Sequence, residues 1–339
     1  MPEYRKPART GGGPAGPGLN RFATAVAGAT VLLIAAGGLV TFTESGLSVP
    51  DWPTTYGQNP FTFPVSKWVG GIRFEHAHRL IASGVGLLTV VLALWLARRE
   101  PRRWVRTLGW LALAAVVAQG LLGGLTVLLL LPSAVSVAHA CLAQTFFCLV
   151  VTLAVVTTRR WRDSTPGEPT AFARTAAVTV GLVFVQLLVG AVMRHTKAGL
   201  AIPDFPLAFG RLVPPFSSFA VGIHYAHRVL ALAVAAGAAA SFVLARRSGR
   251  TLTRRIAALL FGLVAIQVAL GAATVLSRKN PVVATAHVAT GALVLGSALV
   301  LALVSRRVAL ERRGEGRVVP ISTDRPPQAR DGLSRRAFR

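Results

Sequence analysis

Eight apolar stretches, each about 20 residues long, constrain this chain more than any other feature, because a run of that length matches a bilayer core of ~30 Å at ~1.5 Å per helical residue. They run from Phe22 to Phe42, His76 to Ala97, Leu108 to Leu131, Val135 to Thr157, Ala176 to Met193, His224 to Ala245, Ile256 to Ser277 and Val282 to Val304. With 53% hydrophobic and 14% charged residues, composition alone fits either a large soluble core or a membrane protein. The spacing of the runs, and the near absence of charge inside them, select the membrane.

The net charge of +25 invites a nucleic-acid partner, but its distribution argues for topology instead. Arg98, Arg99, Arg102, Arg103 and Arg106 fill one connection, Arg159, Arg160, Arg162 and Arg174 another, and Arg246, Arg247, Arg250, Arg254 and Arg255 a third. These connections and both tails fall on one side, and the opposite loops hold only Lys67, Arg73, Arg194, Lys197, Arg211, Arg278 and Lys279. That asymmetry predicts cytoplasmic termini and even-numbered connections, with membrane lipid as the basic residues' partner and no nucleic acid. The first stretch is too long for a signal-peptide core, and the short basic leader lacks a transit-peptide pattern, so a bacterial plasma (inner) membrane is expected.

The chain also repeats itself. SGLSVPDWP from Ser45 returns as AGLAIPDFP from Ala198, EHAHRL from Glu75 returns as HYAHRV from His224, and QGLLGGLTV from Gln119 returns as QVALGAATV from Gln267. A histidine preceded by alanine follows each of the last pair, His139 and His287. The nearly constant separation reads as a tandem duplication of one unit with four crossings. The expected fold is an all-α integral membrane protein whose eight transmembrane helices form two four-helix bundles related by a pseudo-twofold axis along the membrane normal. Its expected segments are a disordered tail at 1–21, a first unit at 22–157, a linker at 158–175, a second unit at 176–304 and a disordered tail at 305–339.

His78 and His139 in the first unit, and His227 and His287 in the second, all fall at a similar depth toward the non-cytoplasmic side. Two imidazoles from facing helices, without carboxylates or thiols to complete another shell, suit the axial positions of a haem iron. Zinc asks for more ligands. The other reading for any single intramembrane histidine is an interhelical hydrogen bond, but four at repeated positions favour a cofactor. Arg79 and Arg228 directly follow a candidate ligand and either pair with haem propionates or anchor at the interface. Gln119 and Gln267 either bond a cofactor or bridge helices. Cys141 and Cys148 share a helix face ~10 Å apart along the axis, beyond disulfide reach, and read as free core residues.

The break in symmetry is as informative as the repeat. Glu75 stands three residues before His78, on one helix face, where the second half places His224 before His227. A carboxylate at that depth is costly to desolvate, so it is either functional or a partner of Arg73, Arg79 or His76. The favoured reading gives chemistry to the first half and electron storage or passage to the second. The two Pro-Asp-aromatic-Pro loops are either lids over the haem edges or rigid turns, with Asp51 and Asp204 as turn or cap residues.

Taken together, TESGLSVPDWP, the Glu-x-x-His-Arg motif at Glu75 to Arg79, His227-Arg228, and the single His139 and His287 resemble the haem A synthase family, over roughly Phe22 to Val304. The resemblance implies an eight-helix enzyme that oxidises the C8 methyl of haem O to the formyl of haem A, for haem-copper respiratory oxidases. It places Glu75, His78 and His139 in a catalytic site that takes haem O, and His227 and His287 as ligands of a haem b. It also implies two successive hydroxylations, loss of water from a geminal diol, a haem O synthase as neighbour, and an electron donor and acceptor. Some members carry a cysteine pair in the first outer loop; here both cysteines lie elsewhere, so a thiol-dependent step there has no donors. The rival readings are a bis-histidine cytochrome b that only transfers electrons, and a transporter or channel, for which duplicated helices and buried histidines are also expected.

Overall fold

In lipid a backbone must satisfy its own polar groups, and long Ala, Leu and Val runs do so as helices. The computed structural model describes residues 16–168 and 170–307, and among these it contains eight long helices with only isolated β-bridges. They are α1 (Pro17–Phe42), α2 (Ile72–Arg99), α3 (Arg103–Leu128), α4 (Ser133–Val156), α6 (Ala171–His195), α7 (Phe219–Arg247), α8 (Thr251–Leu276) and α9 (Pro281–Ser305), with the single turn α5 (Arg159–Arg162) after α4. All eight are long and apolar enough to cross a membrane. The chain is a multi-pass membrane protein.

The helices outrun the apolar stretches. Arginines that bounded the stretches, such as Arg98, Arg99, Arg246 and Arg247, lie in the last turns of α2 and α7, where their stems stay on apolar surface while their heads reach water. Start signals are local: Pro17 and Pro281 begin α1 and α9, and side chains of Thr170, Ser218 and Asn280 accept bonds from the first amides of α6, α7 and α9. Residues 17–21, expected in a disordered tail, are helical instead. Leu19 is fully buried, and Asn20 donates to the Ala154 carbonyl at 2.6 Å and to Thr157 Oγ1 at 3.0 Å, which ties the start of α1 to the end of α4. The remainder of that tail call, residues 1–15, and of the call at 305–339, residues 308–339, lie outside the described residues.

Neighbours in sequence are neighbours in space. α1, α2, α3 and α4 pack in that order and close into a ring through α1 and α4, and α6, α7, α8 and α9 do the same through α6 and α9. The two rings meet along α4 and α9, with α1 against α9 and α4 against α6. This seam is the core: Phe146, Phe147 and Val150 of α4 are buried with Leu295 and Ala298 of α9. Small residues let the backbones approach, and a Cβ on Gly296 would lie 3.2 Å from the Phe147 ring. On the far sides, Leu32, Leu87, Leu121, Leu232 and Leu259 face outward, as lipid contact requires.

Two long connections, 43–71 and 196–218, share one end of the molecule, the loop end, and the arginine-rich connections share the other. His78, His139, His227 and His287 all fall in the first turns of helices that start at the loop end.

Candidate haem sites

Each histidine faces a glycine on the preceding helix. An ideal Cβ on Gly37 of α1 would meet His78 Cε1 at 3.1 Å, and one on Gly123 of α3 would meet His139 Cε1 at 3.2 Å. The second half repeats the arrangement: Gly190 of α6 against His227 at 3.0 Å, and Gly271 of α8 against His287 at 3.1 Å. A side chain on any of these glycines would push the ring from its place, so the glycines set where each imidazole sits. All four Nδ1 atoms are buried without a hydrogen-bond partner among the described residues. Buried polar atoms are normally paired, and four left unpaired at repeated places call for an explanation.

Glutamines complete the pattern. Gln119 Nε2 donates to the His139 carbonyl at 2.9 Å, and Gln186 Nε2 donates to the His227 carbonyl at 3.0 Å. The Gln186 amide also lies 3.3 Å from His227 Nε2, and the Gln267 amide lies 3.5 Å from His287 Nε2. Each glutamine precedes the relevant glycine by four residues and so shares its helix face. The fourth such position, four before Gly37, is Leu33. The glycines, and Gln186 with them, went unnoticed in the sequence. Their signal was present as Gln-x-x-x-Gly recurring in α3, α6 and α8.

The rings of His227 and His287 are 6.5 Å apart and tilted by 67°. In the first half, His78 and His139 are backed by Gly37 and Gly123 in the corresponding way. Among the described residues no group of three or more His, Cys, Asp or Glu side chains gathers to enclose an ion. The donor set is therefore two pairs of imidazoles in apolar surroundings, which fits a metal that brings its own equatorial ligands: haem iron.

The outer loops are fastened to the same helices. Arg79 donates to the carbonyls of Val49, Asp51 and Thr54 at 2.8, 2.7 and 3.0 Å, and Arg228 donates to those of Ile202, Asp204 and Leu207 at 3.2, 2.7 and 2.8 Å. These are the same three loop positions in both halves. Each loop then turns on its aspartate: Asp51 accepts from the amides of Tyr56 and Gly57 at 2.8 Å, and Asp204 from those of Phe209 and Gly210 at 2.8 Å. Tyr56 and Phe209 adopt left-handed backbone before glycines that do the same. The amides of Gly210 and Phe209 hold the half-buried Asp204 carboxyl below the usual carboxylate range. Asp51 is lowered as well: burial works against ionisation there, but the bonds from Gly57, Thr54 and Tyr56 outweigh it. Both aspartates are turn residues, as the sequence indicated.

Glu75 is buried, with Oε1 accepting from Arg79 at 2.7 Å and Oε2 from the Val49 amide at 2.8 Å. His224 stands in its place in the second half, and its Nδ1 accepts from the Ile202 amide at 3.2 Å. One loop amide is thus capped by a carboxylate in the first half and by an imidazole in the second. Of the partners considered for Glu75, the structure brings Arg79. His76 turns away into an aromatic nest, with Thr55 Oγ1 at 3.1 Å, Trp68 at 4.8 Å and Phe63 at 5.2 Å. Cys141 and Cys148 are free thiols.

A family model described as cytochrome oxidase assembly protein matches residues 20–299, both rings of helices. The haem A synthase of Symbiobacterium thermophilum is 33% identical over 278 residues, covering 76% of this chain and 86% of the relative. The chain belongs to the haem A synthase family. The haem A synthase of Sphingopyxis alaskensis is 31% identical over 341 residues, covering 86% and 93%. That of Halalkalibacterium halodurans is 30% identical over 221 residues, covering 62% and 70%. Haem A synthase family membership makes haem the group against which the two imidazole pairs are to be judged. The unpaired nitrogens and the glycine-backed rings fit it.

Proposed function

We propose that this chain is a haem A synthase that oxidises the C8 methyl of haem O to a formyl group. The observation that carries the reading is the doubled pair of glycine-backed imidazoles, His78 with His139 and His227 with His287, inside a chain of this family. The two rings are units of a tandem repeat, 22–157 and 176–304 joined by 158–175, related by a pseudo-twofold axis along the membrane normal. The loop end faces away from the cytoplasm, and both termini are cytoplasmic, in a bacterial plasma membrane.

The division of labour follows the places where the halves differ. His78 and His139 hold haem O in the first ring, its farnesyl tail left among helices and lipid. Glu75 takes protons, or stabilises positive charge, as the methyl carbon is oxidised through two hydroxylations and loss of water. Its bond to Arg79 pairs the carboxyl at a depth where an unpaired charge is costly. His227 and His287 hold haem b, which supplies a one-electron redox centre when bound. Gln186 and Gln267 place an amide beside Nε2 of His227 and His287 and would orient those two rings toward the iron. Arg79 and Arg228 frame the haem edges and fasten the outer loops over them. A haem O synthase delivers the substrate, and a membrane electron donor and acceptor complete the reaction.

The test is extraction and mass analysis of the haems from protein co-produced with a source of haem O. Wild type is expected to yield haem A or its hydroxylated precursor beside haem B. Glu75→Gln is expected to retain haem B and lose the oxidised product by about a hundredfold or more, the range of acid–base contributions. Full conversion by Glu75→Gln would remove Glu75 from the reaction.

A further inference from the structure

A cation from the second half attends the site in the first. α6 ends at the loop end in Arg194 and His195. Arg194 keeps some exposure, but its Nε is fully enclosed and without an acceptor, and its Nη2 donates to His195 Nε2 at 3.2 Å. Among the described residues the ion pairs are Glu75 with Arg79, Glu100 with Arg102 and Arg159 with Asp163, so no carboxylate answers Arg194. A guanidinium at this depth without an anion is costly, and its planar fork fits a carboxylate.

Its location says which site it serves. α6 packs against α4 across the seam, and Ser133 at the start of α4 donates to the His195 carbonyl at 3.0 Å. His139 lies on α4 six residues beyond Ser133, so that bond fixes the end of α6 against the turns of α4 that lead into His139. The matching position in the first half, on the helix that meets α9 across the same seam, is Thr41, a neutral residue whose hydroxyl turns back to the Gly37 carbonyl at 3.0 Å. The cation therefore appears beside one imidazole pair and not the other. Arg79 has its terminal nitrogens on loop carbonyls and Glu75, which leaves Arg194 as the guanidinium with a buried unfilled donor at the end of α4 that carries His139.

We propose that Arg194, oriented by His195, binds a propionate carboxylate of the haem in the first ring, so that the second half completes the substrate site of the first. This rests on the reading that His78 and His139 hold a haem. The experiment is a spectral titration of the purified full chain, produced without haem O and with its second site already filled, using haem O and haem O dimethyl ester as probes. Wild type is expected to bind the diacid on the order of ten- to a hundredfold more tightly than the diester, as a charged hydrogen bond implies. Arg194→Gln is expected to bind both with the diester's affinity, and Arg194→Lys to keep part of the preference. Retained haem B in the second site certifies that each variant is folded. An undiminished preference in Arg194→Gln would overturn the propionate assignment and leave the haem site standing. Failure of wild type to take up either probe in the first ring would overturn the haem site, and this inference with it.

Discussion

Gly190 shows how much depends on a missing side chain. In an exposed helix, Gly to Ala gains about 1 kcal/mol of helix propensity. Here the added Cβ would stand 3.0 Å from His227 Cε1, tighter than ordinary contact, so the imidazole must give way. The two effects separate in one experiment: Gly190→Ala is expected to leave thermal stability in detergent unchanged or higher while haem b per chain falls. Full haem b retention would mean that the glycine does not set the ring. The histidines were legible because polar residues are conspicuous in apolar runs and these recurred at matched positions. The glycines were not, because glycine is common in membrane helices, and only the structure shows which ones face an imidazole. Glu75 was visible as a broken symmetry, but its bond to the Val49 amide was not, because that contact joins a helix to a loop 26 residues away.

Each outer loop is an element held at two points, by an arginine from the helix and by an aspartate within the turn. The Pro-Asp-aromatic-Pro repeat announced two similar loops, but the acceptors of Arg79 and Arg228 are backbone carbonyls, which carry no sequence identity. Arg228→Lys loses the fork that reaches Ile202, Asp204 and Leu207 together. It is expected to raise the rate of limited proteolysis in 196–218 several-fold, and an unchanged rate would count against the fastening role. The aspartate gives a pH dependence with a definite sign. Asp204 has its carboxyl lowered by the loop amides, so its contribution to loop order is complete above the unfolded carboxylate pKa and is lost as pH falls through the lower folded value. Amide exchange in the 207–211 turn should therefore accelerate, beyond its intrinsic pH dependence, on acidification into and below the carboxylate range. Asp204→Asn should abolish that excess.

At the scale of the whole molecule, the eight helices and their order were plain from run length and charge asymmetry. Which helices form the seam was not. Lipid and protein interior are equally apolar, so membrane helices carry little of the one-sided pattern that marks a buried face in water. Small residues carry it instead: Gly296 abuts Phe147, and Gly38 has Val288 side-chain atoms 3.6 Å from its Cβ position. Gly296→Leu is expected to destabilise the junction of the rings by roughly 1–3 kcal/mol, the usual cost of overpacking, as a lower melting temperature of the haem-loaded protein. The seam also links the roles of the halves, because α9 carries His287 and α4 carries His139.

The most direct test of that division is haem b per chain, measured as the pyridine haemochrome, in His139→Ala and His287→Ala produced without haem O. The account predicts near wild-type haem b in His139→Ala and a loss approaching one haem per chain in His287→Ala. Equal losses in the two variants would make the sites equivalent, and would contradict a catalytic first half served by a redox second half.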